Sequence, residues 1–237
     1  MNEIRIRNFF PTYRGQRSGE LGQDVFVLAA TASKSQGFFV EFGAMDGLFA
    51  SNTLVLERDY NWQGIVAEPG RCFHDALGRN RSCKIDHRAV TGRSGDMVEF
   101  KQVYHQPGLS TLVTHIHSDM HAENRSTSPG EMYSVDTVSL ADLLQQHGSP
   151  HHIDYISVDV EGGEVAVLEN FDFDTYHVDL WTIEHNFQIH ARERIFEIMT
   201  DHGFERVMTD MSAYDDWYIH KDLFSRNNKD TNTRNKT

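Results

Sequence analysis

The sequence predicts an α/β domain built on a parallel sheet with crossover helices. Three observations predict it. Short apolar runs recur, among them 38–42, 62–69 and 153–158, in the lengths that buried strands take. Segments with helical spacing alternate with them. Each of these runs leads into a carboxylate, followed at 43–47 and 161–163 by a glycine turn.

The chain has 237 residues, enough for one large domain, and its 39% hydrophobic and 11% aromatic content supports a sizeable core. The formal net charge is −13. A field of that sign repels phosphate backbones and anionic lipid, so neither nucleic acid nor a membrane surface is the expected partner. A small-molecule or glycan substrate is. Cys72 and Cys83 match no zinc pattern and read as reduced thiols. The first residues lack a signal-peptide core, and no run has membrane-spanning length. The chain reads as soluble and cytoplasmic, with its oligomeric state left open.

Residues 1–22 read as a polar arm, with Phe9, Phe10 and Tyr13 as anchors over the body or over an active site. A domain over 23–224 follows. Its first helix covers 25–30 and ends near Gly37, and strand 38–42 then enters the turn Gly43-Ala44-Met45-Asp46-Gly47. Ser51, Asn52 and Thr53 are capping types ahead of apolar residues at helical spacing through Arg58. A second strand over 62–69 closes on Glu68-Pro69, a helix covers roughly 70–80, and a third strand takes 83–90.

Residues 97–103 alternate like a strand or hairpin. The stretch 104–134, rich in His, Ser and Gly, reads as a long loop or insertion: either a substrate lid or a surface excursion. His105, His115, His117 and His121 fall there in no metal-ligand spacing with a carboxylate nearby. Order resumes with a strand and helix over 135–144, a strand and turn over 153–163, a helix over 164–170 and a strand over 178–186. An amphipathic helix over 192–202 stops at Gly203, and 204–209 with 216–220 form an antiparallel pair. The tail 225–237 is polar and expected to be disordered.

In an open parallel sheet, ligands sit at the carboxyl ends of the strands. Those ends carry Glu41, Gly43, Asp46 and Gly47; Glu68; Asp86 to Ala89; Asp159 and Glu161; and Glu184, His185 and Asn186. A glycine turn with Glu68 closing the next strand is a nucleoside-binding arrangement, because a carboxylate there accepts both ribose hydroxyls. A dinucleotide would need glycine two positions after Gly43, where Met45 stands, and Asp46 would repel its pyrophosphate. S-adenosylmethionine has no phosphate and carries a cationic sulfonium, so the acidic turn favours it over NAD.

The runs 40–47, 51–53, 65–69, 89–90, 138–144, 154–168 and 183–186 resemble the successive motifs of the FkbM-type S-adenosylmethionine-dependent methyltransferases. The block Asp159-Val160-Glu161-Gly162-Gly163-Glu164 is the most specific of them; Gly163 stands where the family usually carries alanine. The resemblance runs from about 36 to 210. It implies a class I methyltransferase, Rossmann-like fold: a seven-stranded, mostly parallel sheet with one antiparallel strand and helices on both faces. It also implies O-methylation, commonly of sugar or natural-product hydroxyls. Glu41, Gly43, Asp46 and Gly47 would then hold the methionine part, Glu68 the ribose and Asp86 to Ala89 the adenine. Asn52 would either contact the cofactor carboxylate or simply start a helix. Asp159 would face the donor methyl with Glu161, Glu184 and His185 nearby as candidate bases. A divalent cation such as Mg²⁺ on Asp159 with Glu184 or His185 is the second reading, and the metal-free one is preferred. Outside this reading stand an NAD-dependent oxidoreductase on a Rossmann-like fold and a catalytically silent binding module.

Overall fold

The computed structural model describes residues 3–223. The first half runs α1 (Glu3–Phe9), α2 (Gln23–Ala30), β1 (Phe38–Phe42), α3 (Leu54–Tyr60), β2 (Gln63–Ala67), α4 (His74–Asn80), β3 (Lys84–Asp86), β4 (Ala89–Thr91) and β5 (Met97–Val103). The second half runs β6 (Thr111–Leu112), α5 (Ala122–Thr127), β7 (Gly130–Ser139), α6 (Leu140–Gln146), β8 (His152–Val158), α7 (Glu164–Glu169), β9 (His177–Glu184), α8 (Ile189–Asp201), β10 (Phe204–Val207) and β11 (Asp215–His220).

The main sheet has seven strands in the order β10-β11-β9-β8-β1-β2-β3. Strands β3, β2, β1, β8 and β9 are mutually parallel, and β11 runs antiparallel to both β9 and β10. Alternation along each strand sends side chains to two cores. Phe39, Val66, Leu180 and Trp217 meet α1–α4 on one face, while Val40, Ile65, Trp181 and Tyr218 meet α6–α8 on the other. Burial on both faces is why these strands read as nearly continuous apolar runs. Phe9, Phe10 and Tyr13 pack against the first of these cores, and Phe10 stacks on Trp217.

Beyond that sheet, the structure differs from expectation in two places. The single strand expected over 83–90 is divided: β3 pairs with β2, and β4 pairs with β7 in a second sheet. Asp86 causes the break. Its Oδ1 accepts the Arg88 backbone N–H at 3.0 Å, and its carboxylate also binds the Arg88 guanidinium and His147 Nε2. The second difference is the segment 104–134, which is not a structureless loop. A four-stranded sheet, β4-β7-β5-β6, takes in β6 and the first residues of β7, with β5 antiparallel to both its neighbours. The tail 225–237 lies outside the described residues.

Helix starts follow local chemistry. Ser139 Oγ accepts the Asp142 N–H at the head of α6. Ser51 Oγ accepts the Leu54 N–H, so α3 begins at Leu54, just after the capping run. No helix among the described residues is long and apolar enough to cross a membrane.

One buried ion network fixes the first turn of the sheet. The Arg81 side chain has no solvent exposure, and its Nε bonds Glu57 at 2.5 Å while Nη1 reaches Glu41 at 3.2 Å. Removing one partner of such a network strands a charge in the interior, which costs about 3–5 kcal/mol. Arg81→Ala should therefore lower the unfolding free energy extrapolated from urea titration by that amount, and the urea midpoint with it. Arg194→Ala, which removes a surface pair with Glu169, should leave the midpoint unchanged within error.

Candidate active site

The cleft lies over the carboxyl ends of β1, β2 and β8 and encloses about 790 Å³, counting the part open to solvent. Phe42, Ala67, Phe73, Val90 and Phe100 give it apolar walls; Glu68, Arg88, Asp159 and Glu161 are its charged edges. The segment after β5 forms a roof through Pro107, Gly108, Ser110, Leu112 and His115.

Three strand-end turns place a non-glycine residue in the left-handed region: Met45 at φ 49°, Glu161 at 57° and Asn186 at 44°. Such conformations persist only where the surroundings over-determine them, and they concentrate at functional sites. Gly43, at φ 70°, makes the first turn possible: a Cβ there would fall 2.3 Å from the Asp159 carbonyl oxygen. Only glycine lets the ends of β1 and β8 approach this closely. Gly47 has a different task. It lies under the Arg81 stem and away from the cleft.

Glu68 is 5% exposed. Its Oε2 accepts the Met45 N–H at 2.9 Å and its Oε1 the Gly70 N–H at 2.6 Å. Each oxygen keeps one lone pair, and the residue borders the cleft. Burial pushes its pKa up to about 7, against the two N–H bonds.

Asp159, Glu161 and Glu184 form an acid cluster whose carboxylate oxygens lie within 4.8 Å of one another, close enough for one cation to touch all three. Burial and mutual repulsion raise Asp159 and Glu184 well above the usual range, and Asp159 is hydrogen-bonded to Glu184. Burial lifts Glu161 to about 8, opposed by the Arg125 guanidinium. Asn186 Nδ2 donates to Glu184 at 2.8 Å. Glu164 accepts the Val160 and Gly162 N–H groups and so holds the turn that carries Glu161.

A smaller hollow of about 330 Å³ adjoins Asp159, lined by Glu20, Gln23, Asn52, Ser157, Thr182 and Asp215 among others. Asn52 Nδ2 donates to Ser157 Oγ at 2.9 Å, whereas its Oδ1 is buried with no hydrogen-bond partner among the described residues. A hollow of acceptors with an orphaned amide oxygen is suited to an ammonium group.

Of the residues singled out in the sequence, Gly43, Glu68, Ala89, Asp159 and Glu161 border the cleft. Glu184 joins them through Asp159, and Asn52 lines the hollow. The others are engaged elsewhere. Glu41 accepts from Ser51, Asn52, Thr53 and Arg81. Asp46 accepts the Leu48 and Phe49 N–H groups. Asp86 is bound by Arg88 and His147, whose hydrogen bonds outweigh burial and hold its pKa down at about 2. His185, expected among the bases, lines neither the cleft nor the hollow. It is buried outside the cleft, with Nδ1 accepting the Phe187 N–H and Nε2 3.8 Å from Asp216.

Two residues of the insertion that the sequence did not single out as site residues lie at or beneath the cleft. His115 lines the cleft, and burial, with Arg125, lowers its pKa so that the imidazole is neutral at pH 7. Arg125 has no exposed side-chain surface and bridges Asp119 and Glu161. The clustering of histidines after β5 was the available signal for His115. Arg125 left no signal in the sequence.

The acid shifts set a pH dependence. Glu68 at about 7, Glu161 at about 8 and Asp215 at about 7 all stand above their unfolded values near 4, with burial the leading cause. The folded state therefore keeps protons that the unfolded chain releases. Stability from these groups is full below about pH 4 and is lost as pH rises through about 7–8. The urea midpoint of the ligand-free protein should fall between about pH 5.5 and 8, and Asp215→Asn should make that fall shallower. An unchanged slope in the variant would count against the assignment.

Residues 41–206 match the sequence profile of the Methyltransferase FkbM domain. The chain is also similar to Methyltransferase sdnD of Sordaria araneosa, 27% identical over 201 residues that span 72% of this chain and 74% of that protein.

Proposed function

The chain belongs to the FkbM methyltransferase family, and on that premise we propose that it is an S-adenosylmethionine-dependent O-methyltransferase acting on a hydroxyl of a sugar, glycan or related natural product. The observation that carries the reading is Glu68: a buried carboxylate fixed by two backbone N–H groups, with a free lone pair on each oxygen at the edge of the cleft. That is the acceptor pair a ribose diol requires. The strand order, with β11 reversed between β9 and β10, agrees with a class I methyltransferase fold.

When bound, S-adenosylmethionine supplies a methyl group on a cationic sulfur. The apolar walls around Phe73 and Phe100 suit its adenine, and the hollow at Asn52 suits its amino group. Acids on two sides suit its positive charge. A dinucleotide fits less well, because the Met45 side chain borders the cleft beneath Gly108, where a pyrophosphate would need open backbone. A silent binding module would leave the raised acids unexplained.

The protein's remaining task is to align an acceptor hydroxyl and remove its proton. The Asp159–Glu184 pair, held in one hydrogen bond, can take that proton on whichever carboxylate is ionised, and burial makes that carboxylate a stronger base. His115, neutral at pH 7, offers a second acceptor on the roof side. Exposed Phe49 and Phe187 follow β1 and β9 at the same edge and suit the C–H face of a sugar ring or an apolar natural product. The spacing of the three acids supports a second reading, in which Asp159, Glu161 and Glu184 would hold Mg²⁺, which would supply the charge that lowers a hydroxyl pKa.

Calorimetry should give micromolar binding of S-adenosylhomocysteine and no heat with NAD; no binding of S-adenosylhomocysteine would sink the reading, and heat with NAD in its place would select the oxidoreductase. Glu68→Ala should weaken S-adenosylhomocysteine about 10–100-fold, the worth of a charge-assisted hydrogen bond or more. Asp159→Asn should lower kcat by about 10²–10⁴ with little change in that affinity. Activity abolished by a chelator and restored by magnesium would select the metal reading over the metal-free one.

A further inference from the structure

At the opposite edge of the sheet, His152 is the first residue of β8 and His177 the first of β9. They are cross-strand partners. Asp179, two residues along β9, is 3% exposed. Its Oδ2 lies 2.9 Å from His152 Nε2, and its Oδ1 lies 3.2 Å from His177 Nε2. One donor atom from each residue falls within 4.8 Å of the other two. Strand β11 runs the other way, so it ends at this edge with His220, whose ring centroid is 4.7 Å from that of His177.

We propose that a zinc-class divalent cation binds among His152, His177 and Asp179, with His220 the nearest further imidazole, and clamps the starts of β8 and β9. Zn–N and Zn–O bonds of about 2.0–2.2 Å put two ligands of a tetrahedral ion about 3.3 Å apart. The 2.9 and 3.2 Å contacts, one to each Asp179 oxygen, are near that spacing, and the three donor atoms, within 4.8 Å of one another, would draw together on the ion. The donor set decides the metal. Imidazoles with one carboxylate suit Zn²⁺ and Co²⁺, whereas Mg²⁺ requires oxygens and would go to the acid cluster. Side-chain exposures of 46% for His152 and 34% for His177 leave the ion a way in, while Asp179 anchors the site from inside. Because a strand rises about 3.3 Å per residue, His152 stands about 23 Å from Asp159, seven residues on. The site's role is to stabilise, not to react.

The test uses the full chain, free of affinity-tag histidines, stripped by a chelator and dialysed. Titration with ZnCl₂ should show one saturable equivalent, and a hundredfold excess over Kd should raise Tm by about 5–10 °C. Co²⁺ should give the intense visible bands of a tetrahedral nitrogen and oxygen site. His152→Gln and His177→Gln should each weaken Zn²⁺ at least about tenfold while keeping the Tm of the chelated parent. Asp159→Asn should leave Zn²⁺ affinity unchanged. No binding tighter than about 100 μM, a weak six-coordinate Co²⁺ spectrum or binding that survives both glutamine variants would overturn the proposal. So would a loss caused by Asp159→Asn, which would locate the ion in the acid cluster. The Co²⁺ spectrum of the unaltered chain decides the matter even if a variant fails to fold.

Discussion

A carboxylate withdrawn from water must be met by a cation, by N–H or O–H donors, or by a proton. The acids at the carboxyl edge of this sheet are sorted by that constraint. Glu41 is met by Arg81 and two hydroxyls, Glu164 by two backbone N–H groups and Glu161 by Arg125. Asp159 and Glu184 have no cation of their own among the described residues and lean on each other. The sorting leaves two groups with unspent capacity: the outer lone pairs of Glu68 and the proton-sharing pair. One faces the cleft as an acceptor for hydroxyls, the other as an acceptor for a proton.

The same constraint ties the insertion to the site. Arg125 Nε donates to the Leu109 carbonyl, its Nη1 bonds Asp119, and its Nη2 bonds Glu161. The Thr111 hydroxyl also donates to the Glu161 carbonyl. Lifting the roof would therefore separate a buried cation from the acid cluster and admit water to both. The segment cannot move without changing the charge balance below it.

Strands buried on both faces, and the turns that end them, were legible in the sequence, because apolar runs and glycines are strong local signals. The acids at the strand ends followed from them. Which of those acids face a ligand was not legible, since Glu41 and Glu68 look alike until their donors are known. The break between β3 and β4 was hidden for a related reason: Asp86 captures the Arg88 N–H, a polar choice that an apolar pattern does not register. The insertion escaped because its anchors are Arg125 and Thr111, residue types that composition assigns to the surface. The position of His185 was not legible either. β9 ends at Glu184, and the left-handed turn at Asn186 brings its amide back onto Glu184 while His185 is left beside Asp216, an arrangement that the residue order alone does not show.

Alternation along a strand separates faces, while parallel alignment separates ends, and this chain uses both. Five parallel strands send every carboxyl end one way, so oxygen donors gather at that edge: Glu68, Asp159 and Glu184. Hard donors and raised pKa values belong with proton transfer or with magnesium. The amino ends of β8 and β9 carry imidazoles instead, the donors of borderline metals. The reversal of β11 serves both edges, with Asp215 at its start beside the hollow and His220 at its end beside His177. Three adjacent strands, β8, β9 and β11, thus join the two groups of side chains. A cation holding their far ends would restrain the strands that position the acids, without entering the chemistry that those acids perform.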